Sequence, residues 1–283
     1  MGLQINTNIV AMFASRNLAK VNSNLEKSLK KLSSGLRITE AAEDAAGLAI
    51  ASAMKTDING YQQAQRNIND GVNMVQVADG ALKIMLDILS RMKDLAMQSS
   101  NASVGSSERI TINNEFTSLR DEIQRLSDVA EFNGQFLLDG SLASGATTSV
   151  ILQIGLTNAA TSQISLNAEA NIGDIDSTGL GLATLDVLTS TNATGSLATL
   201  NSAIDTVVSN RGNLGAVQNR LRFAFDHLGI TTENLSAAKS QIEDVDFATE
   251  MAAFTKNQIL VQAATAMLAQ ANILPQAVLQ LLG

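Results

Sequence analysis

The sequence contains a single histidine, His227, which lies beside Asp226. A histidine next to a carboxylate could act as a general base. A histidine-based metal site would need further ligands, and the chain has no second histidine and no cysteine. His227 also falls within a run of apolar residues at every seventh position, where a histidine is more often a solvated or packed residue of a helix. Catalysis is therefore the less favoured interpretation of this residue.

Two further patterns could bind a ligand or move a proton. Gly179-Leu180-Gly181 is similar to part of a dinucleotide-binding loop, but Thr184 stands where the third glycine belongs and no strong strand precedes it. Asp244 and Asp246 are neighbouring carboxylates, but they precede a predicted helix that begins near Phe247, where negative charge stabilises the helix N-terminus. We therefore expect no cofactor, no metal site and no enzymatic activity.

Composition and charge narrow the class of protein. The net charge of −8 argues against nucleic-acid binding, whose affinity comes mainly from Lys and Arg. Hydrophobic residues make up 45% of the chain but aromatic residues only 3%, so the core must be built from aliphatic side chains and methionine. A single proline permits long uninterrupted helices. The start of the chain lacks the positive charge of a secretory signal peptide, so we expect none.

Apolar residues that alternate in spacing between three and four positions predict long helices. One stripe predicts a helix over about Glu108–Val129, and a second continues with a seven-residue period over Leu200–Ile242. Two more stripes precede them, at Ile68–Met92 and Leu18–Leu32, and Gly35 follows the latter as a helix-ending residue. The predicted heptad core is Ile112, Phe116, Leu119, Ile123, Leu126, Leu200, Ile204, Val207, Leu214, Leu221, Phe225, Leu228, Leu235 and Ile242.

The middle of the chain has a different composition. From Asn133-Gly134 to about Ser196, Gly, Ser, Thr and Asn are frequent, and Ser149–Ile154 and Gln163–Leu166 alternate weakly between apolar and polar side chains. We interpret these two segments as a small β-hairpin region between helical halves. The fold class is therefore predicted to be mainly α, a long antiparallel coiled-coil or helical-bundle rod with a small central β-hairpin region.

Both ends of the chain lack charge. Arg16 is the first charged residue and Lys256 the last, although chain ends are usually exposed and polar. Three interpretations remain open: a membrane span, a terminal helix packed on its own domain, and a segment buried only on assembly. Polar residues interrupt the C-terminal stretch too often for a span, and the similar pattern at both ends favours assembly. The residues assigned to assembly are Ile5, Ile9, Leu18, Leu25, Leu32, Phe254, Leu260, Met267, Leu274 and Leu279.

Several motifs, in order along the chain, resemble those of bacterial flagellins. The N-terminal part contains Leu32-Ser33-Ser34-Gly35-Leu36-Arg37-Ile38 and Asp44-Ala45-Ala46-Gly47-Leu48-Ala49-Ile50, and the C-terminal part contains Ile242-Glu243-Asp244-Val245-Asp246-Phe247-Ala248-Thr249-Glu250. The resemblance covers roughly residues 4–140 and 196–282. Further similar segments are Gln65-Arg66-Asn67, Asp70-Gly71, Phe132-Asn133-Gly134, Leu138-Asp139-Gly140, Leu214–Arg220 and Leu268–Asn272.

The resemblance implies a structural subunit that self-assembles into the helical flagellar filament used for motility, in a short form without large variable outer domains. It also implies an inner coiled-coil domain made from both chain ends and an outer rod domain. The expected boundaries are 1–42 with 243–283 for the inner domain and 43–242 for the outer one, the latter with helices at 43–130 and 196–242 and a β-rich insert at about 133–195.

The resemblance further implies a location outside the cell and a set of binding partners. Flagellins pass through the flagellar type III export apparatus, so an extracellular location without a cleaved signal peptide is expected. The implied partners are copies of the same chain, an export chaperone, and the filament cap and junction proteins. The segment that contains Arg91 and Leu95 is similar to the flagellin segment that the Toll-like flagellin receptor binds. Glu115, on a neighbouring helix, belongs to the same expected contact. Neither nucleic acid nor a membrane span is expected among the partners.

Two alternatives stay open at this point. A hook–filament junction protein of the same export system shares the terminal helices, but it would not form long filaments alone. A membrane-active exported coiled-coil protein would bind lipid vesicles through Asn257–Gly283.

For the assembly interpretation, we expect both chain ends to be disordered in the free subunit and to fold on assembly, because pairing of short helices is marginal in water.

Overall fold

The computed structural model describes residues 7–147 and 149–282, with side-chain environments up to Ile273. The helices of this described part are α1 (Ile9–Ser34), α2 (Ala45–Ser100), α3 (Ser106–Val129), α4 (Leu166–Ala170), α5 (Ser190–Glu243) and α6 (Phe247–Leu282). The strands are β1 (Glu131–Phe132), β2 (Gln135–Phe136), β3 (Ile151–Gln153) and β4 (Gln163–Ser165). The predicted mainly α fold with a small β-hairpin region is confirmed.

Local sequence explains where several helices begin and end. The side-chain oxygen of Asn8 caps α1 by accepting a hydrogen bond of 3.0 Å from a backbone amide of its first turn. Gly35 ends α1 with a φ of 73°, a left-handed conformation that other residues rarely adopt. The guanidinium of Arg109 donates to the carbonyls of Ser99 and Asn101, each at 2.9 Å. Arg109 thereby satisfies carbonyl groups that the end of α2 leaves without helical partners.

Two antiparallel hairpins lie between α3 and α5 along the chain. In the first, β1 pairs with β2 around Asn133 and Gly134, whose φ values are 52° and 78°. Positive φ at both central residues is what a tight hairpin turn requires, and Asn-Gly adopts it at low cost. In the second, β3 pairs with β4, with Ile151 opposite Ser165. The second hairpin was predicted and is confirmed, whereas the first was not predicted.

The chain divides into two compact units. Residues 1–56 with 234–283 form what we call the terminal unit, and residues 57–233 form the central unit. These divisions fall within α2 and α5, whereas the sequence-based boundaries lay at the helix breaks near 42 and 243. A helix break is visible in a sequence, but compactness depends on which side chains pack together, and a long helix can contribute to both units.

Helix α5 also begins earlier than predicted, at Ser190 rather than at 196. The reason is local, because the Thr189 hydroxyl accepts a hydrogen bond of 3.1 Å from the amide of Asn192. A Ser or Thr oxygen at this position satisfies a free amide of the first turn and so starts a helix. The predicted β-rich insert is correspondingly shorter at its C-terminal end, and it contains the short helix α4.

The central unit has one aliphatic core shared by α2, α3, α5 and the segment between α3 and α5. Arg211 of α5 and Asp79 of α2 form an ion pair of 2.7 Å at its edge. The predicted heptad residues that are buried here are Ile112, Phe116, Ile123, Leu200, Val207, Leu214, Leu221 and Leu228. Those that pack half-buried against the core are Leu119, Leu126, Ile204 and Phe225. The two that lie half-buried in the terminal unit are Leu235 and Ile242.

Candidate assembly surface

Helices α1 and α6 lie antiparallel in the terminal unit. The amide nitrogen Nδ2 of Asn8 donates a hydrogen bond of 2.8 Å to the carbonyl of Ala271, so the start of α1 lies beside the C-terminal part of α6. At the other end, the backbone amide of Val245 donates to the carbonyl of Gly35 at 2.9 Å, just before α6 begins. The two contacts fix the direction of the pair and bring the chargeless segments together.

The two helices meet along a heptad seam. Their less exposed residues recur at spacings of three and four, as in a coiled coil. On α1 these residues are Ala11, Ala14, Leu18, Val21, Leu25, Ser28 and Leu32. On α6 they are Phe254, Asn257, Val261, Ala264, Leu268 and Ala271. Among the described side chains of the two helices, up to Ile273, only Ser28 and Ala271 are buried, at 5% and 3% exposure, so most of the described apolar side chains stay accessible.

Outside the seam, large apolar side chains of both helices are exposed. Phe13 and Met267 are each 64% exposed. The remaining members of this set, which we call the outer apolar surface, are Ile9, Val10, Met12 and Leu29 of α1 and Phe247, Met251, Ile259, Leu260 and Ile273 of α6. Single exposed apolar residues are common, but an extended apolar patch on a monomer marks an interaction site. The terminal unit therefore has the surface chemistry of a protein–protein interface.

The structure divides the residues that the sequence assigned to assembly into groups. The exposed members are Ile9, Leu260 and Met267. The half-buried members, all at seam positions, are Leu18, Leu25, Leu32 and Phe254. The members outside the described residues are Ile5 and the side chains of Leu274 and Leu279. The sequence could not separate seam from outer surface, because both faces carry large apolar residues at helical spacings.

A hydrogen bond and an ion pair stabilise the other end of the terminal unit, where α1 ends and α6 begins. Nη2 of Arg37 donates to the carbonyl of Ile242 at 2.5 Å, which ties the α1–α2 connection to the end of α5. Nζ of Lys31 lies 3.5 Å from a carboxylate oxygen of Glu43. A hydrogen bond from the Thr39 backbone, and then the charge of Lys31, hold the pKa of Glu43 below its usual range. Sequence reasoning placed Ile242 in the heptad core and Arg37 in a family motif, but it predicted none of these contacts.

Asp246 caps α6, as the sequence predicted. Its Oδ1 accepts a hydrogen bond of 2.9 Å from the amide of Ala248, and its Oδ2 accepts one of 2.8 Å from the hydroxyl of Thr249. The hydrogen bonds from Thr249 and then from Ala248 lower the pKa of Asp246, because they stabilise the ionised carboxylate. Asp244 lies in a backbone bridge with Leu36 and not in a carboxylate pair with Asp246.

The other residues that the sequence offered as candidates for catalysis or ligand binding do not come together in one site. His227 is exposed on α5. Gly179 packs so closely against the backbone of Asp174 that an added Cβ would lie 2.2 Å from the Asp174 carbonyl oxygen, so its role is close packing. Among the described residues, no three His, Asp or Glu side chains gather as metal ligands. In the same part of the chain, no helix combines the length and apolar content needed to cross a bilayer.

The segment predicted to contact an innate receptor is partly assembled on the central unit. Nη2 of Arg91, on α2, lies 2.8 Å from Oε1 of Glu115, on α3, and both side chains are about half exposed, at 53% and 46%. Leu95 is only 1% exposed and belongs to the core of this unit. The structure therefore offers Arg91 and Glu115 together as a surface pair, with Leu95 packed beneath the surface.

A mainly helical protein whose paired terminal helices expose an extended apolar surface is, by its fold and surface, a structural subunit that associates with other chains. Residues 5–143 match the bacterial flagellin N-terminal helical region, and residues 197–282 match the bacterial flagellin C-terminal helical region. The chain belongs to the bacterial flagellin family and is a subunit of the flagellar filament used for motility.

Two relatives support the family assignment over nearly the full length of the chain, and a solved structure supports the fold. The chain is 43% identical to a flagellin of Halalkalibacterium halodurans over 278 residues, which cover 98% of this chain and 99% of the relative. It is 40% identical to the flagellar filament 30.7 kDa core protein of Treponema maltophilum, with 98% and 99% covered. A putative flagellar hook-associated protein from Vibrio parahaemolyticus has a similar fold, with a TM-score of 0.58, 14% identity, and 71% of this chain and 100% of that chain covered.

Proposed function

We propose that the outer apolar surface of α1 and α6 is the polymerisation surface of the subunit. The observation that carries the proposal is the exposure of side chains such as Phe13 and Met267, each at 64%. Both lie in the chargeless parts of their helices, before Arg16 in α1 and after Lys256 in α6. Burial of apolar surface between subunits contributes about 25 cal/mol per Å². A head-to-tail contact that does not close on itself generates an open helical polymer, which is the form of a filament.

The same geometry supports a proposal about the free subunit. The seam between α1 and α6 is mostly half-buried, and its small members Ala14 and Ala264 contribute little apolar area. Isolated helices gain most of their stability from packing of an apolar face. We therefore propose that α1 and α6 are marginally stable in the free subunit and become firmly folded when neighbouring subunits cover their outer surface.

A chain truncated after Lys256 tests the polymerisation surface. We expect it to keep the circular dichroism of the remaining helices and the unfolding transition of the central unit, and to stay monomeric where the full chain forms filaments. Electron microscopy of negatively stained samples and sedimentation give the answer. Long filaments formed by the truncated chain would refute the proposal and favour a terminal helix that merely packs on its own domain.

Point substitutions at Ile259 provide a matched pair. This side chain is 60% exposed on α6, so its replacement removes little contact within the subunit. Ile259→Asp would place a charge in the proposed contact, whereas Ile259→Leu keeps an apolar side chain of similar size. We expect Asp to prevent filament formation and Leu to preserve it, with unchanged helicity in both free subunits. Equal polymerisation of the two variants would place Ile259 outside the contact.

We also propose the wider setting that family membership supports. The subunit acts as a structural protein and not as an enzyme, lies outside the cell in the filament, and reaches it through flagellar export. Its further partners are an export chaperone and the filament cap and junction proteins. Filaments sheared from intact cells should contain the chain, and deletion of the export apparatus should abolish its appearance outside the cell. Detection of equal amounts outside cells after that deletion would contradict this route.

An innate receptor of the Toll-like class is a further proposed partner. Arg91 and Glu115 form an exposed ion pair across two helices, and an arginine in such a position is a frequent binding hot spot. Arg91→Ala should weaken activation of receptor-bearing reporter cells. Arg125→Ala is the control, because Arg125 is similarly exposed and also pairs with a carboxylate, Glu122. The same dose response for both variants and the parent would refute a contact at Arg91.

Purified protein also separates the two alternatives from a filament subunit. A hook–filament junction protein would not form long filaments alone, so negative-stain images of concentrated protein decide between these two functions. A membrane-active protein would bind lipid vesicles through Asn257–Gly283, and flotation with vesicles measures this. Filaments without vesicle binding are the result that the proposed function requires.

A further inference from the structure

Three residues of the outer apolar surface are methionines. Met12 is 58% exposed, Met251 is 49% exposed and Met267 is 64% exposed. Each shares its helix with other exposed apolar residues at helical spacing, since Met251 follows Phe247 by four positions and Met267 follows Leu260 by seven. A methionine sulfur in this setting is accessible to small solutes and also lies in the proposed subunit contact.

The other methionines of the described residues give an internal comparison. Met85 and Met92 are 0% exposed in the core of the central unit. Met54 and Met74 are half-buried. Met97 is 51% exposed but belongs to the central unit. The chain thus holds accessible methionines inside and outside the outer apolar surface, together with inaccessible ones, and their reactivities can be measured in one sample.

We propose that Met12, Met251 and Met267 are oxidation sites for hydrogen peroxide and related peroxides, and that their oxidation excludes the free subunit from the filament. This inference rests on the proposed polymerisation surface. In the reaction, a lone pair of the thioether sulfur attacks one peroxide oxygen, the S–O bond forms and the O–O bond breaks. The sulfur loses two electrons, and the second oxygen leaves with two protons as water.

The product changes the chemistry of the contact. Methionine sulfoxide is polar and carries a strong hydrogen-bond acceptor in place of an apolar sulfur. In the free subunit water solvates this oxygen, but between subunits it would be buried among apolar side chains without a donor. We expect the minimum protein concentration for polymerisation to rise by about tenfold or more, since a tenfold change corresponds to roughly 1.4 kcal/mol.

The decisive experiment uses the full chain without substitutions. Free subunits are oxidised by hydrogen peroxide to partial conversion at each site, the peroxide is removed by catalase, and polymerisation is started. Peptide mass spectrometry then compares the sulfoxide fraction at each methionine between pelleted filaments and the supernatant. We expect depletion from the pellet at Met12, Met251 and Met267 and equal fractions at Met97. Equal fractions at all four sites would overturn the inference.

A variant supplies the second arm. Replacement of all three methionines by leucine keeps apolar side chains of similar size and removes the oxidisable sulfur. We expect the triple variant to polymerise after peroxide treatment within about twofold of its untreated level, whereas Met97→Leu should stay as sensitive as the parent. Equal peroxide sensitivity of the triple variant and the parent would overturn the inference. Failure of the untreated triple variant to polymerise would leave the decision to the pellet comparison.

The outcomes also separate this inference from the proposed function. If the chain truncated after Lys256 still forms filaments, the polymerisation surface itself is wrong. If the truncated chain stays monomeric but oxidised subunits enter filaments as readily as unoxidised ones, the surface stands and only the oxidation inference fails.

Discussion

Leu221→Ala tests whether the heptad stripe of α5 forms the core of the central unit. Leu221 is 0% exposed within the aliphatic core. The substitution removes about three methylene equivalents, each worth roughly 0.8 kcal/mol of transfer free energy, or about 2.4 kcal/mol together. The cavity left behind raises the expected loss to about 2–5 kcal/mol. For a unit of this size each kcal/mol lowers the melting temperature by roughly 2–4 °C.

Urea unfolding followed by circular dichroism measures the loss as a lower midpoint with an unchanged slope. Ile230→Ala is the control, because Ile230 lies on the same helix but is 61% exposed. We expect this change to alter the free energy of unfolding by no more than about 0.5 kcal/mol. If the two variants unfold at the same midpoint, Leu221 does not contribute to a core and the assigned heptad register is wrong.

Three further outcomes follow from single residues. Gly179→Ala should lower the free energy of unfolding by about 1–3 kcal/mol, measured by urea unfolding, because its Cβ would meet the Asp174 carbonyl. Gly173→Ala, which has open space around it, should change this free energy little. Gly134→Ala should cost about 1–2 kcal/mol in the same assay, because φ is +78°. The pKa of Asp246 is lowered in the folded chain, so its stabilising contribution is lost as pH falls through that value. Asp246→Asn should therefore make α6 less sensitive to acid in a circular-dichroism titration.

Much of the fold could be predicted because its signals are local. Heptad spacing indicated the helix that the structure places at Ser106–Val129, and weak alternation indicated the hairpin of β3 and β4. The glycine at the end of α1 and the aspartate before α6 were also read correctly, since each acts on the backbone next to it. Caps, turns and periodic stripes depend on near neighbours along the chain, and a single sequence contains those neighbours.

The features that were missed depend on distant partners or on weak signals. Arg37 and Ile242 meet across the terminal unit, and nothing near either residue indicates the other. Leu95 was named by resemblance as a receptor contact, and its place in the core, at 1% exposure, depends on how α2 packs. The hairpin around Asn133-Gly134 had a usable signal, because Asn-Gly between short apolar segments favours a tight turn, yet its strands are only two residues long.

The terminal unit distributes its side chains unlike a protein that folds alone. At adjacent positions of α1, Ala14 occupies the seam while Phe13 is 64% exposed, and on α6 Ala264 occupies the seam while Met267 is 64% exposed. Fully burying a Phe or Met side chain is worth about 1.5–3 kcal/mol. The terminal unit leaves this contribution unused at each such position, and contact with further chains would realise it. We therefore expect α1 and α6 to reach their most stable arrangement only when further subunits cover large outer side chains such as Phe13 and Met267.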